Sequence, residues 1–240
     1  MESYQSFAKF YDLFMGDRLK TIKLVSSTIK KYHPKAKSIL ELAVGTGSIL
    51  HPLSKNYKVS GLDLSQSMLK IAKRKIPKAK LYHQNMVDFK INEKFDVILC
   101  LFDSINHVLK FSDWEKIFKN VCRHLNKNGI FIFDINTQYA LNTYFNCEPF
   151  VQKIKNEIRV VDTENKGNGI VDFIIYVLSG ASKERHKLVE DHALETSFPI
   201  KKIKTSLNKY FGEISIFDKN FNKPSKNIRR LYFVCRGDNT

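Results

Sequence analysis

The chain has little of what marks small secreted or membrane-bound proteins. Its four cysteines, Cys100, Cys122, Cys147 and Cys235, show no short pairing interval and mostly sit inside apolar runs. They read as reduced, buried thiols, which argues against a disulfide framework and against a zinc site. No basic-then-apolar leader opens the sequence, and no apolar run approaches the roughly 20 residues of a membrane span. The expectation is a soluble, cytoplasmic chain with no membrane partner. Internal repeats, low-complexity linkers and a second independent domain are missing as well. Acidic residues are scarce: 24 Asp and Glu against 40 Lys and Arg leave a formal charge of +16. Such a surplus raises nucleic acid, an anionic membrane surface or an acidic small molecule as partners. The lysines, however, fall in separate segments around residues 20–31, 70–75 and 201–204, a distribution that favours solvated helix faces.

What is present is globular composition, 43% hydrophobic and 12% aromatic over 240 residues, enough for one α/β domain with an insertion. Aromatics at helical spacing in 4–14 and an apolar stripe of Ile22, Val25, Ile29 and Tyr32 after Asp17 predict two opening helices, the second ended by His33-Pro34. From residue 38 the pattern alternates. Strands are expected at 38–42, 57–62, 79–82, 95–101 and 130–134, with helices at 48–56 and 65–76 and another from a Ser112–Glu115 capping box to Asn128-Gly129. Alternation of this kind implies parallel strands with helices on both faces. Between 149 and 198 the runs 150–161, 170–178 and 185–198 read instead as antiparallel strands, an inserted small sheet. A helix at 200–211 and strands at 213–217 and 230–235 complete the α/β part.

The stretch that carries chemistry is Ile39-Leu40-Glu41-Leu42-Ala43-Val44-Gly45-Thr46-Gly47, a strand running into a tight glycine turn. Gly45 and Gly47 supply two glycines of a G-x-G-x-x-G pattern, but Leu50 stands in place of the third. A dinucleotide site wants that glycine for close helix packing at a pyrophosphate, so a ligand without a pyrophosphate fits better. Asp63 ends the next strand at about the 20-residue distance where a carboxylate accepts ribose hydroxyls. An acid at a strand end is also commonly a solvated edge residue; the glycine turn before it favours the ligand.

Ile39 to Gly47, the Gly61 to Leu69 segment, Asn85 to Phe89 and Phe95 to Ile98 together resemble the ordered motifs of class I S-adenosylmethionine-dependent methyltransferases, and 130–134 resemble that family's fifth strand. Residues 83–89 and 100–107 look like small-molecule N-methyltransferases, notably those acting on nucleotide-linked amino sugars. The resemblance implies a doubly wound, mostly parallel seven-stranded sheet of Rossmann-like type with an inserted antiparallel β lobe. Within a single domain over 1–240, residues 1–35 form a helical cap, 36–145 the cofactor-binding core, 146–199 the substrate-covering lobe and 200–240 the completion of the core. The cofactor implied is S-adenosyl-L-methionine, with S-adenosyl-L-homocysteine as product and no metal. Glu41, Ala43, Gly45, Thr46 and Gly47 would meet the methionine moiety and ribose, and Asp63 the ribose hydroxyls. Leu64 and Met68 would pack on adenine, with Asn85, Met86 and Val87 at its edge. Leu101 and Phe102 would border the sulfonium. The family usually has Asp at position 85; Asn85 still offers an amide oxygen.

His107 matches a histidine of the amino-sugar enzymes and is the candidate catalytic base, beside Asn106 as a substrate contact; a packed or solvated histidine is the alternative. Tyr11 matches an N-terminal Tyr-Asp pair and would close over the cofactor in a catalytic role, or else belong only to the aromatic stripe. His192 is a substrate contact in the lobe or, more in keeping with its period-two neighbours Leu188, Leu194 and Phe198, lobe packing. The expected activity is methyl transfer to a small-molecule acceptor, an amine by preference. An RNA methyltransferase and a non-catalytic cofactor-binding partner protein are the alternatives, and a homodimer is compatible with each. Asp134-Ile135-Asn136-Thr137 lacks the Asn/Asp-Pro-Pro-aromatic signature of base-amino methyltransferases, which disfavours nucleic acid.

Overall fold

Two short helices lead into the alternating segment. The computed structural model describes residues 6–144, 147–182 and 185–237; Tyr4 and Gln5 of the opening aromatic stripe lie outside them. Helix α1 is Ala8–Met15 and α2 is Leu19–Tyr32. Asp17 is not the N-cap expected: that position is Arg18, without a side-chain cap bond, and the Asp17 carboxylate accepts the Leu19 N–H at 2.7 Å from one residue further out. There follow β1 (Ser38–Leu42), α3 (Leu50–Leu53), β2 (Lys58–Asp63), α4 (Gln66–Lys75), β3 (Lys80–His83), β4 (Phe95–Cys100), α5 (Phe111–His124), β5 (Leu125–Asn136) and α6 (Gln138–Tyr144). The chain continues through β6 (Phe150–Ile154), β7 (Glu157–Gly167), β8 (Ile170–Ser182), β9 (Arg185–Thr196), α7 (Ile200–Leu207), β10 (Phe211–Phe217) and β11 (Arg230–Gly237).

Seven strands form one sheet in the order β10-β11-β5-β4-β1-β2-β3. The pairs β1–β2, β1–β4, β4–β5 and β2–β3 are parallel, and β11 runs antiparallel to both its neighbours. The central strands are largely apolar on both faces because both faces are covered. Leu40, Ile98, Phe131 and Phe133 pack on one face with Trp114, Ile117 and Phe118 of α5; Ile39, Val97, Leu99 and Ile132 pack on the other with Leu24, Val25 and Ile29 of α2. Each such side chain removed from water contributes about 1.5–3 kcal/mol before entropy is counted. The strand order reverses between β4 and β1. Ligands of open α/β sheets bind at the carboxyl ends of the strands beside such a reversal.

Strands β6 to β9 form a separate four-stranded antiparallel sheet. Its Ile175, Val177, Val189 and Ala193 pack against Phe7, Phe10 and Phe14 of the opening segment. Asp191 of β9 accepts the backbone N–H groups of Ser6 and Phe7, each at 3.1 Å, and so satisfies donors at the start of α1.

Several local expectations are corrected. The helix after the glycine turn shrinks from 48–56 to Leu50–Leu53, a short turn that contains Pro52. The Ser112–Glu115 capping box does not form: α5 starts at Phe111 with no side-chain cap. Glu115 instead accepts from Ser206 at 3.2 Å and Lys209 at 2.8 Å, so it is drawn sideways to α7. That helix ends at His124, ahead of Asn128-Gly129, because Leu125 already pairs with Phe95 in the sheet. The expected strand 150–161 breaks in two at Lys155, which turns with φ +57°. Helix α6 was not anticipated; Thr137 caps it, its hydroxyl accepting the Ala140 N–H at 3.1 Å.

Candidate active site

The turn after β1 is built from left-handed residues: Ala43 at φ +52°, Gly45 at +54° and Gly47 at +76°. Val44 N–H still pairs with the Leu62 carbonyl at 2.9 Å, so the loop stays stitched to β2. Asp63, at the end of β2, closes the cradle. Its Oδ2 accepts the Gly45 N–H at 2.7 Å and its Oδ1 accepts the Ser65 N–H at 2.8 Å. Burial raises the Asp63 carboxyl above its ordinary range, with the Ser65 and Gly45 bonds opposing. A Cβ at Gly45 would meet nothing within 4 Å, which leaves the loop backbone open to a ligand.

This cradle borders a cavity of about 380 Å³, within the range of small-molecule sites. Of the residues expected to form the site, Tyr11, Ala43, Gly45, Asp63, Leu64, Met68, Asn85, Met86, Val87, Phe102 and His107 line it. Thr46, Gly47, Glu41, Leu101, Asn106 and His192 do not. Thr46 and Gly47 are buried behind the turn, and Leu101 is buried in the core beneath Phe102. The lining also includes Asp103, Ser104 and Asp113, which sequence reasoning missed. Its charged side chains, among the described residues, are aspartates; no Lys or Arg lines it despite the +16 of the chain. Lys20, Lys23, Lys70, Lys73, Lys201 and Lys204 are exposed on three separate helices, α2, α4 and α7.

S-adenosylmethionine fits this donor set. Glu41 is buried with Oε2 lacking any hydrogen-bond partner, and burial followed by the nearby Asp63 charge pushes its carboxyl well above the ordinary range. A buried carboxyl of that kind is satisfied by a cationic donor, such as the ammonium of a methionine moiety. Asn85 has turned its amide oxygen onto the Val87 N–H at 3.0 Å, which shapes the 85–87 turn at the rim.

On the opposite wall, Phe102 and Asp103 follow β4 with φ +58° and +53°. Two consecutive left-handed non-glycine residues cost about 1–2 kcal/mol each, so the surroundings must impose them. They do so through a polar network. Asp103 accepts from Arg230 at 2.7 Å and from Asn136 at 2.6 Å, while Asp134 accepts from Arg230 at 2.8 Å and from the Asp103 N–H at 3.2 Å. Burial lifts Asp134 to about 6 although Arg230 opposes it. The Arg18 guanidinium lies 3.9 Å from the Phe102 ring centre and 5.5 Å from that of Tyr11, a cation–π pair at the rim. Burial raises the Tyr11 hydroxyl to about 12. It therefore stays protonated through neutral pH and acts as a donor rather than a base.

His107 ends a 3-10 turn, Ser104–His107, at the cavity. Its Nδ1 lies 2.9 Å from the Leu194 carbonyl oxygen, which only accepts. Nδ1 therefore carries the proton in the neutral ring, and Nε2 holds the lone pair. The neighbouring Asn106 takes a different role from the substrate contact expected of it. It is fully buried, donating to the Asn136 and Thr196 carbonyls at 2.9 and 2.7 Å and accepting the Asn136 N–H at 3.0 Å. Those bonds join β5 to β9. His192 sits on the lobe, between Asp172 at 2.9 Å and Glu190 at 3.1 Å, away from the cavity.

Comparison with known proteins places the chain beside methyltransferases. Residues 39–129 match the family described as a methyltransferase domain. The chain is 32% identical over 111 residues to a dTDP-3-amino-3,6-dideoxy-alpha-D-glucopyranose N,N-dimethyltransferase of Streptomyces fradiae, covering 46% of this chain and 44% of that one. It is 27% identical over 250 residues to a putative methyltransferase of Bacillus subtilis, covering 99% and 98% of the two. Alignments to the amino-sugar dimethyltransferases span about half the length of those curated relatives. A solved S-adenosylmethionine-dependent methyltransferase from Clostridium acetobutylicum superposes with a TM-score of 0.85 at 26% identity, over 97% of this chain and 98% of that one.

Proposed function

We propose that this chain, which belongs to the class I S-adenosylmethionine-dependent methyltransferases, transfers a methyl group to the nitrogen of a small-molecule amine. The observation that carries the reading is the meeting in one cavity of the Asp63 cradle and a histidine whose unprotonated nitrogen is defined by the Leu194 carbonyl. When bound, S-adenosylmethionine supplies a methyl group already activated on a positively charged sulfur, which an acceptor nitrogen displaces in line.

The chain's residues do the rest by position and exclusion. Asp63 receives the ribose hydroxyls on the lone pairs its backbone bonds leave over. Glu41, buried just behind the cavity wall beside Asp63, sets the acidic end that the ammonium faces; Leu64, Met68 and Met86 give the base an apolar bed. Tyr11 and Phe102 close the mouth against water, and Arg18 holds their rings in place. An amine attacks only when neutral, so His107 Nε2 takes its proton and passes it to solvent. The cavity lining offers no Lys or Arg to the phosphates of a polyanion, which speaks against RNA.

The amino-sugar relatives suggest where to look for the acceptor. Labelled S-adenosylmethionine should be offered to a panel of small amines, amino sugars included, and to total RNA. Label in an amine supports the reading. Label in RNA alone, or tight cofactor binding with no transfer to any fraction, overturns it.

A further inference from the structure

Helix α1 touches both halves of the machinery, and its connection to the rest of the chain is a joint. Gly16, which follows it, has φ +66° and ψ −157°, a conformation essentially confined to glycine. The placement of α1 over the cavity is held by contacts on two sides. On the lobe side those contacts are Phe7, Phe10 and Phe14 against Ile175, Val177, Val189 and Ala193, with Asp191 at the helix start. On the core side they centre on Asp12. Its Oδ1 accepts from Thr46 at 2.6 Å and from Ser48 at 2.7 Å, and its Oδ2 accepts from Lys75 of α4. Lys75 also reaches Thr46 at 3.1 Å and Ser48 at 3.0 Å, closing the cluster on the glycine turn. Burial works against the Asp12 charge, yet the bonds from Lys75, Thr46 and Ser48 hold its carboxyl below the ordinary range.

We infer that Asp12 is a positioning residue that ties the lobe to the cofactor cradle. Ordering the glycine turn around a ligand orders Thr46 and Ser48, these fix Asp12, and α1 passes the order to the inner face of the lobe through its phenylalanines. The inference rests on the proposed cofactor site and adds a coupling to it. Coupling is reciprocal, so a filled lobe should likewise tighten the cradle. Lys75 is the one lysine of the 70–75 cluster withdrawn from solvent, which is consistent with this use.

The test is S-adenosylhomocysteine binding by calorimetry together with amide hydrogen exchange of the full chain. In the wild type, the ligand should slow exchange at 173–177 and 189–193 as well as at the glycine turn. Asp12→Ala should bind about tenfold more weakly, the loss expected for a charge-assisted bond. At saturation it should protect the turn but leave the lobe at its ligand-free rate. Asp191→Ala, which removes the acceptor of the Ser6 and Phe7 N–H groups at the opposite end, should keep affinity within about twofold and also lose the lobe response. If Asp12→Ala does not fold, Asp12→Asn, which retains an acceptor for the two hydroxyls but not the charge for Lys75, takes its place with the same lobe readout. Lobe protection in Asp12 and Asp191 variants equal to the wild type overturns the inference. A wild type that binds no S-adenosylhomocysteine would overturn the proposed function instead.

Discussion

Gly45 donates its backbone N–H to Oδ2 of Asp63 at 2.7 Å, and this bond, beside that of the Val44 N–H to the Leu62 carbonyl, joins the glycine turn of β1 to the end of β2. With the Ser65 N–H on the other oxygen, the carboxylate shapes the cradle before it meets any ligand. Asp63→Ala should therefore do two things. It should lower stability by about 1–3 kcal/mol for each buried N–H left unsatisfied, and it should weaken S-adenosylhomocysteine binding beyond that loss. Chemical denaturation and calorimetry on the same preparation separate the two; unchanged affinity would remove Asp63 from the ligand site.

Two glycines of the cradle should fail differently. A Cβ at Gly61 would lie 2.8 Å from the Val44 side chain, so Gly61→Ala must push the turn after β1 away from β2 and cost about 1–3 kcal/mol by overpacking. Gly45→Ala meets no atom within 4 Å, and its cost in stability is only the left-handed penalty of about 1–2 kcal/mol. Its methyl enters the ligand's space, however. Melting curves should single out Gly61→Ala as the less stable, and ligand titration Gly45→Ala as the weaker binder for its stability.

Replacing His107 by alanine should lower turnover by about 10²–10⁴-fold while cofactor affinity stays nearly constant. Raising the pH should restore part of the variant's rate, since an amine that deprotonates by itself needs no base. A variant whose deficit is equal at every pH would exclude proton transfer as the role of His107.

The Tyr11 hydroxyl should ionise near 12 rather than at its ordinary 10.0, burial being the main cause. Alkaline ultraviolet titration of wild type minus Tyr11→Phe isolates that one group. Tyr11 then contributes no limb to the pH–rate profile below pH 10. A difference transition near 10 would place Tyr11 in solvent and remove it from the mouth.

On the lobe, bonds to Asp172 and Glu190 raise the His192 pKa above its ordinary 6.5. A histidine whose folded pKa is raised adds stability that is fully present below its unfolded pKa and is lost as the pH climbs through the folded one. His192→Gln should accordingly lower the melting temperature at pH 6 and have little effect at pH 9. Because the side chain is partly exposed, the effect should be small and weaken with salt. Loss of turnover at constant stability would return His192 to the substrate site.

The parts of the fold legible in sequence were those whose cause is local. The turn needs Gly45 and Gly47 within a few residues of β1, and the parallel sheet announces itself through strands largely apolar on both faces, such as those read at 95–101 and 130–134. Asp63 was readable because strand, turn and carboxylate follow one another. What stayed hidden depends on partners distant in the chain. Thr46 bonds Asp12 across 34 positions, and Arg230 bonds Asp103 across 127, leaving no periodic trace. Asn106 looked like a substrate contact because it adjoins His107, yet the end of β9 reaches it through the Thr196 carbonyl and makes it a structural tie. The capping box at Ser112 failed for the same reason: Ser206 of α7 and Lys209 just beyond it, far along the chain, claimed Glu115.

The central claim is that the cavity between the glycine turn, Asp63 and His107 holds the methyl donor. Equilibrium titration of S-adenosylhomocysteine into the wild type and Asp63→Ala, monitored by calorimetry, tests it most directly. The account predicts saturable one-to-one binding to the wild type, lost or greatly weakened in the folded variant. No heat with the wild type, or equal affinity in both, would contradict it.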